Sequence, residues 1–99
     1  MKLKFSESAV QDLVRLREFI AQNNPQAAER VSLRLRQAIG KLVLYPDIGR
    51  PVPELENVRE LIAGNYVVRY LREEDTIFVL RIWHGKEFRD FEVGAENLN

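Results

Sequence analysis

Four residues in the C-terminal third of the chain have side chains suited to phosphate chemistry: Arg69, Arg81, His84 and Lys86. If Arg69 and Arg81 lie on neighbouring strands, their guanidinium groups could clamp a phosphate. The imidazole of His84, if unperturbed, suits proton transfer near neutrality. A structural interpretation is also open, in which the arginines pair with carboxylates such as Glu60 or those of a partner chain, and His84 bonds to the backbone. The pattern therefore allows phosphodiester cleavage without requiring it.

The composition excludes several other classes of site. The chain has 99 residues, a net charge of zero, no cysteine and one histidine. Disulfides and thiolate metal sites are therefore excluded, and a histidine-based zinc site is not expected. We predict no cofactor and no metal. The balanced charge does not favour sequence-specific DNA binding by this chain alone, and no apolar run is long enough for a leader or a membrane span, so the expected location is the cytoplasm.

The N-terminal half predicts a strand followed by two helices. Residues 2–5 alternate polar and apolar, as in a half-buried strand. Either Ser6 or Ser8 could begin the first helix, and Asn24 with Pro25 has the pattern of a helix start. The apolar positions of both helices recur at helical spacing: Ala9, Leu13, Leu16 and Ile20 in the first, and Ala28, Val31, Leu35, Ala38 and Leu42 in the second. Two such helices with a short joint predict an α-helical hairpin.

The C-terminal half predicts three further strands. The stretch 45–53 ends the second helix at a Tyr-Pro pair and continues as a stiff, proline-rich loop. Strands are predicted at 58–62, 66–72 and 76–84, joined by short turn-rich segments that favour an antiparallel meander. The predicted fold class is α+β, with the N-terminal strand and the helical hairpin packed on a mostly antiparallel sheet of about four strands. We expect one domain over residues 1–89 and a partly ordered tail over 90–99.

Both faces of the predicted sheet carry apolar residues, which is unusual when two helices can cover only one face. In the last strand, alternation assigns Phe78, Leu80 and Ile82 to the core. The opposite face of the last two strands is then predicted to bind a partner chain. Its residues are Val67, Arg69, Ile77, Val79, Arg81 and Trp83. The alternative is that the C-terminal tail folds back over this face.

Four local strings, in this order and at this spacing, resemble the ParE/RelE toxin superfamily. They are YPDIGRP at 45–51, VREL at 58–61, YVVRY at 66–70 and IWHGK at 82–86. The resemblance covers the chain to about residue 89. It implies a cytoplasmic toxin of a type II toxin–antitoxin system, neutralised by a cognate antitoxin protein.

The superfamily has two mechanisms, and the aligned residues favour one of them. RelE-like members cut mRNA on the ribosome without a metal, whereas ParE-like members poison DNA gyrase. In the ungapped comparison, the catalytic arginine of RelE-like enzymes falls on Val67, and their lysine pair falls on Val58 and Glu60. Only the C-terminal basic position is kept, as Lys86. The resemblance therefore implies a ParE-like gyrase inhibitor. The alternatives are a ribosome-dependent mRNA endonuclease, or a degenerate toxin that only binds antitoxin.

Overall fold

The computed structural model describes residues 1–85, which form two helices and a five-stranded sheet. The elements are β1 (Lys2–Phe5), α1 (Glu7–Asn23), α2 (Pro25–Leu44), β2 (Arg50–Pro51), β3 (Val58–Ala63), β4 (Tyr66–Arg72) and β5 (Thr76–His84). The strand order is β1-β5-β4-β3-β2, with β1 parallel to β5 and every other pair antiparallel. The predicted α+β class, the hairpin and the meander are confirmed. Strand β2 adds a fifth strand where the sequence predicts only a loop.

The boundaries of the two helices follow from local capping. Ser6 begins α1, since its hydroxyl accepts a hydrogen bond from the N–H of Ala9 and donates one to the carbonyl of Leu80. Asn24 begins α2, where its side-chain oxygen accepts from two backbone N–H groups at 3.1 Å each and Pro25 occupies the first turn. Ser6 rather than Ser8 is therefore the first cap, and the predicted start of α2 is confirmed.

Replacing Asn24 by alanine should lower the free energy of unfolding by about 1 kcal/mol, because two N–H groups of α2 lose their acceptor. Urea denaturation would measure the change. Asn24→Asp keeps an acceptor oxygen at the same place and serves as the control, with a stability close to that of the parent chain. Equal losses in both variants would contradict the capping role.

The core lies between the helical hairpin and one face of the sheet. The fully buried sheet residues on that face include Val68, Tyr70, Ile77, Val79 and Ile82, each with an exposed fraction of 0%. From the helices they meet Ala9, Leu16, Leu35, Ile39 and Leu42. Within residues 1–85, neither helix is long and apolar enough to cross a membrane.

A β-bulge in β5 reverses part of the predicted orientation of this strand. Tyr70 pairs with Val79, whereas the preceding Arg69 pairs with Arg81, so Leu80 has no partner across the strands. One extra residue in a strand shifts the alternation of every side chain beyond it. Before the bulge, Ile77 and Val79 therefore face the helices, and after it Ile82 does. The prediction that Phe78 and Leu80 face the core while Ile77 and Val79 form an outer surface is wrong; Ile82 is placed correctly.

The C-terminal boundary of the domain at residue 89, the tail over 90–99 and Lys86 all lie outside the described residues.

Candidate functional site

The outer face of the sheet, on the side away from the helices, brings two of the predicted arginines together. Arg69 on β4 and Arg81 on β5 are directly opposite each other, as the sequence predicts. Each is held by its own carboxylate. Arg69 donates through Nε and Nη2 to Oε2 of Glu60, at 2.9 and 2.7 Å. Arg81 donates through Nε and Nη2 to the two oxygens of Asp12, at 2.9 and 3.2 Å. The charge of both guanidinium groups is therefore balanced within the chain.

Asp12 joins helix α1 to the exposed edge of β5. Strand β1 ends at Phe5, so beyond that point no strand within residues 1–85 pairs with β5 on this side. The carboxylate takes the place of that strand by accepting the N–H of Ile82 at 2.9 Å, in addition to its bonds from Arg81 and from Arg15. Asp12 as a whole is only 3% exposed. Burial alone would raise the pKa of Asp12, but the hydrogen bonds from Arg81 and from the Ile82 N–H outweigh it and hold that pKa below its ordinary value.

Asp12 is not among the candidate site residues predicted from the sequence. Its spacing contained a signal. Asp12 follows Ala9 by three positions and precedes Leu16 by four, which places it on the apolar face that packs against the sheet. A carboxylate on the buried face of a helix requires a buried donor, and Arg81 of the last strand supplies it.

Trp83 lies beneath Arg69 on the same outer face. The guanidinium carbon is 5.2 Å from the centre of the indole ring, a cation–π distance. Trp83 is only 6% exposed, and its partner across the strands is the half-buried Val67. Glu60, Arg69 and Trp83 therefore form a layered cluster, which we call the outer-face cluster, with Arg69 between the carboxylate and the ring.

His84 lies on the opposite face of the sheet from the outer-face cluster. It pairs with Tyr66, and the two rings meet edge-on with centroids 5.2 Å apart. Because side chains alternate along a strand, His84 shares a face with the core residue Ile82, whereas Trp83 shares one with Arg69. Of the four residues proposed for phosphate chemistry, the structure thus brings Arg69 and Arg81 together, places His84 elsewhere and does not describe Lys86. Within residues 1–85, no three His, Asp or Glu side chains are grouped to hold a metal ion.

A second buried polar arrangement fixes the loop between α2 and β2. The phenol of Tyr70 donates to the carbonyl of Pro46 at 2.8 Å and accepts the N–H of Gly49 at 3.0 Å. Arg59 donates to the carbonyls of Asp47 and Gly49, at 3.2 and 2.7 Å. The sequence predicts a stiff loop because of its prolines. Gly49 supplies space: a Cβ there would lie 2.8 Å from the Tyr70 ring.

Solved structures of toxin–antitoxin proteins share this fold. The chromosomal ParDE toxin–antitoxin system of P. aeruginosa contains a chain that superposes with a TM-score of 0.74, at 24% identity, covering 85% of this chain and 95% of that one. The toxin–antitoxin complex RelBE2 of Mycobacterium tuberculosis gives a TM-score of 0.62 at 25% identity, covering 84% and 95%. An α-helical hairpin on a mostly antiparallel sheet is therefore the fold of a class of toxin–antitoxin proteins.

Sequence comparison identifies the family within that class. A family model described as the ParE toxin of the type II toxin–antitoxin system parDE matches residues 3–88. Toxin RelE2 of Caulobacter vibrioides is 38% identical over 77 residues, 77% of this chain and 85% of that protein. Toxin RelE1 of the same organism is 34% identical over 86 residues, 85% and 92% of the two chains. The chain belongs to the ParE toxin family of type II toxin–antitoxin systems, within the ParE/RelE superfamily. The resemblance seen in the four strings is confirmed.

Proposed function

We propose that this toxin inhibits DNA gyrase by binding to it, without bond chemistry of its own, and that a cognate antitoxin neutralises it in the cytoplasm. The observation that carries the proposal is the pairing of Arg69 with Glu60 and of Arg81 with Asp12. Metal-free RNA cleavage needs a base, an acid and cations free to stabilise extra charge on one phosphate. Here both cations already neutralise carboxylates, and His84 is on the other face of the sheet. The match to the ParE family model supports gyrase as the target, because gyrase is what ParE-like members of the superfamily are expected to poison.

The partner surface for the antitoxin is a further part of the proposal. Of the six residues predicted for it, Val67, Arg69 and Arg81 stay as candidates on the outer face, and Trp83 supports Arg69 from beneath. Ile77 and Val79 are removed from the set because both are fully buried in the core. An open groove of about 560 Å³ between the two helices, lined by Leu13, Val14, Arg17, Glu29, Ser32, Leu33 and Arg36, offers a second apolar surface. Antitoxin-bearing complexes among the structural relatives support such a partner.

The test is a supercoiling and DNA-cleavage assay with purified gyrase, the toxin and its cognate antitoxin. We expect the toxin to inhibit supercoiling, the antitoxin to reverse the inhibition, and His84→Ala to inhibit as well as the parent chain. Arg69→Ala should weaken antitoxin binding more than it weakens gyrase inhibition. A folded toxin that leaves gyrase unaffected at micromolar concentration would contradict the proposal.

A ribosome-dependent mRNA endonuclease is the second candidate, favoured by the RelE names of the Caulobacter relatives and by the opposed positions of Arg69 and Arg81. For this function, Arg81, His84 and Lys86 would have to reach one phosphate in the ribosome-bound toxin. Cleavage of mRNA in a translating extract, lost in both His84→Ala and Lys86→Ala while antitoxin binding persists, would establish it. Cleavage that survives both changes would exclude these residues as its catalysts.

A further inference from the structure

The segment around the end of α2 and the start of the loop to β2 exposes a contiguous group of apolar side chains. Leu44 is 73% exposed, Tyr45 61% and Ile48 48%. Together with Pro46 and Asp47 these side chains line a shallow depression. We call this surface the 44–48 patch. Single exposed apolar residues are ordinary, but several in contact with one another mark a surface that binds a protein partner.

The backbone beneath the 44–48 patch is fixed before any partner arrives. Tyr70, fully buried, bridges Pro46 and Gly49 through its hydroxyl, and Arg59 holds two further carbonyls of the same loop. The N–H of Ile48 closes a turn on the carbonyl of Tyr45 at 3.1 Å. A loop held in this way loses little conformational freedom on binding, which favours affinity.

The charges around the patch define the kind of partner that it fits. The charge of Asp47 is balanced by two arginines of the sheet. One of its carboxylate oxygens lies 2.8 Å from Nε of Arg72 and 3.6 Å from Nε of Arg59. Two exposed cations lie on either side of the patch in sequence, Lys41 one helical turn before Leu44 and Arg50 two residues after Ile48. The patch is therefore an apolar surface with an exposed cation on each side of it along the chain, and it complements an apolar protein surface bordered by acidic side chains.

We infer that the 44–48 patch is the surface through which the toxin binds its target protein. The inference rests on the proposed function, since it assumes that the toxin acts by binding. Tyr45 offers one aromatic face, but a nucleic acid is a poorer fit because the aliphatic side chains of Leu44 and Ile48 offer neither charge nor an aromatic face to a phosphate or a base. The antitoxin groove is separate: it ends near Arg36, eight residues or about 12 Å of helix before Leu44.

The experiment compares two double variants of the full chain that each replace two exposed aliphatic residues. The test variant is Leu44→Gln with Ile48→Gln. The control is Val10→Gln with Ile62→Gln, whose side chains are 48% and 51% exposed in the parent and lie away from the patch. Each variant is induced in cells that lack the antitoxin, and each purified protein is assayed for gyrase inhibition, antitoxin affinity and thermal unfolding.

We expect the test variant to lose growth arrest and to need at least about tenfold more protein for half-inhibition of gyrase, as for two residues at the centre of an interface. Its antitoxin affinity and thermal unfolding should match those of the parent, and the control should remain toxic. A test variant as toxic as the parent overturns the inference. So does one that loses antitoxin binding with its fold intact, because the patch then belongs to the antitoxin.

A third variant, Lys41→Gln with Arg50→Gln, separates a protein target from a nucleic acid. If the target is a protein, this variant should lose less gyrase inhibition than the test variant does. Its difference from the parent chain should become smaller at higher salt, because salt screens the charges that the variant removes. A loss larger than that of the test variant indicates nucleic acid and overturns the inference. The growth assay reports toxicity whichever target the toxin binds. A parent that arrests growth but spares gyrase therefore overturns the proposed target, while loss of that arrest in the test variant still supports the patch.

Discussion

Replacing Asp12 by alanine is expected to lower the free energy of unfolding by about 2–4 kcal/mol. The substitution leaves the N–H of Ile82 without an acceptor in a buried position. It also leaves Arg81 without the carboxylate that holds it against α1. Arg81 is 45% exposed, so water replaces part of that loss. Urea denaturation followed by circular dichroism would measure the change.

A matched pair of variants separates the two contributions of Asp12. Asp12→Asn keeps an acceptor for the Ile82 N–H but removes the charge, and it should lose less stability than Asp12→Ala. Arg81→Gln removes the charged partner but leaves the bond from Ile82, and it should also lose less. If Asp12→Asn were as unstable as Asp12→Ala, the negative charge rather than the backbone bond would be the main contribution.

The stabilising effect of Asp12 should depend on pH with a defined sign. Its folded-state pKa lies below the ordinary value of 3.8. Such a group contributes stability that is fully present above the unfolded pKa and is lost as the pH falls through the folded pKa. The difference in stability between the parent and Asp12→Asn should therefore be constant near neutrality and narrow only below about pH 4. A difference that narrowed between pH 8 and pH 6 would point to another group.

The second large effect is expected at Gly49. A Cβ at this position would lie 2.8 Å from both Cε1 and the hydroxyl of Tyr70 and 2.9 Å from the carbonyl of Glu60. Gly49→Ala should therefore lower the free energy of unfolding by about 1–3 kcal/mol through overpacking. It should also displace the loop that carries the 44–48 patch, and thermal unfolding with a toxicity assay would follow both consequences.

Gly40 provides the control for this substitution. It lies inside α2, and a Cβ there would meet nothing within 4 Å. Gly40→Ala should raise stability by about 0.5–1 kcal/mol, because alanine favours the helix and restricts the unfolded chain. The two glycine variants should therefore shift the unfolding temperature in opposite directions. A fall for both would show that the hairpin does not tolerate a side chain at Gly40.

Most elements of the fold could be predicted from the sequence because their signals are local. The capping side chain of Asn24, the proline that follows Tyr45 and the period of the apolar residues each act within one element. The alternation in β4 holds along the whole strand, so the buried positions of Val68 and Tyr70 are placed correctly. The opposition of Arg69 and Arg81 is also predicted, but it depends on the bulge, because the register set by Tyr70 and Val79 would otherwise pair Arg69 with Leu80.

The features that were missed depend on contacts between distant parts of the chain. The bulge at Leu80 arises where β1 ends and α1 begins to bond to the edge of β5, and no pattern within β5 indicates it. Strand β2 has two residues, too few for any alternation. The role of Asp12 likewise depends on a strand about 70 positions later in the chain. The residues of the candidate site could be named from the sequence. Their carboxylate partners, and the placement of His84 and Trp83 on opposite faces of the sheet, could be seen only in the folded structure.

The parallel pairing of the first strand with the last has a consequence for how the toxin is made. Helix α1 and strand β1 both pack on β5, and Ser6 bonds to Leu80 across 74 positions of sequence. During synthesis the helical hairpin can form early, but its apolar face has no sheet to cover until β5 has been translated. Closing so long a loop makes folding slow compared with that of a helical bundle. A nascent toxin interrupted before Thr76 therefore lacks β5, which supplies Ile77, Val79 and Ile82 to the core. Toxicity is then acquired only as the last elements are completed.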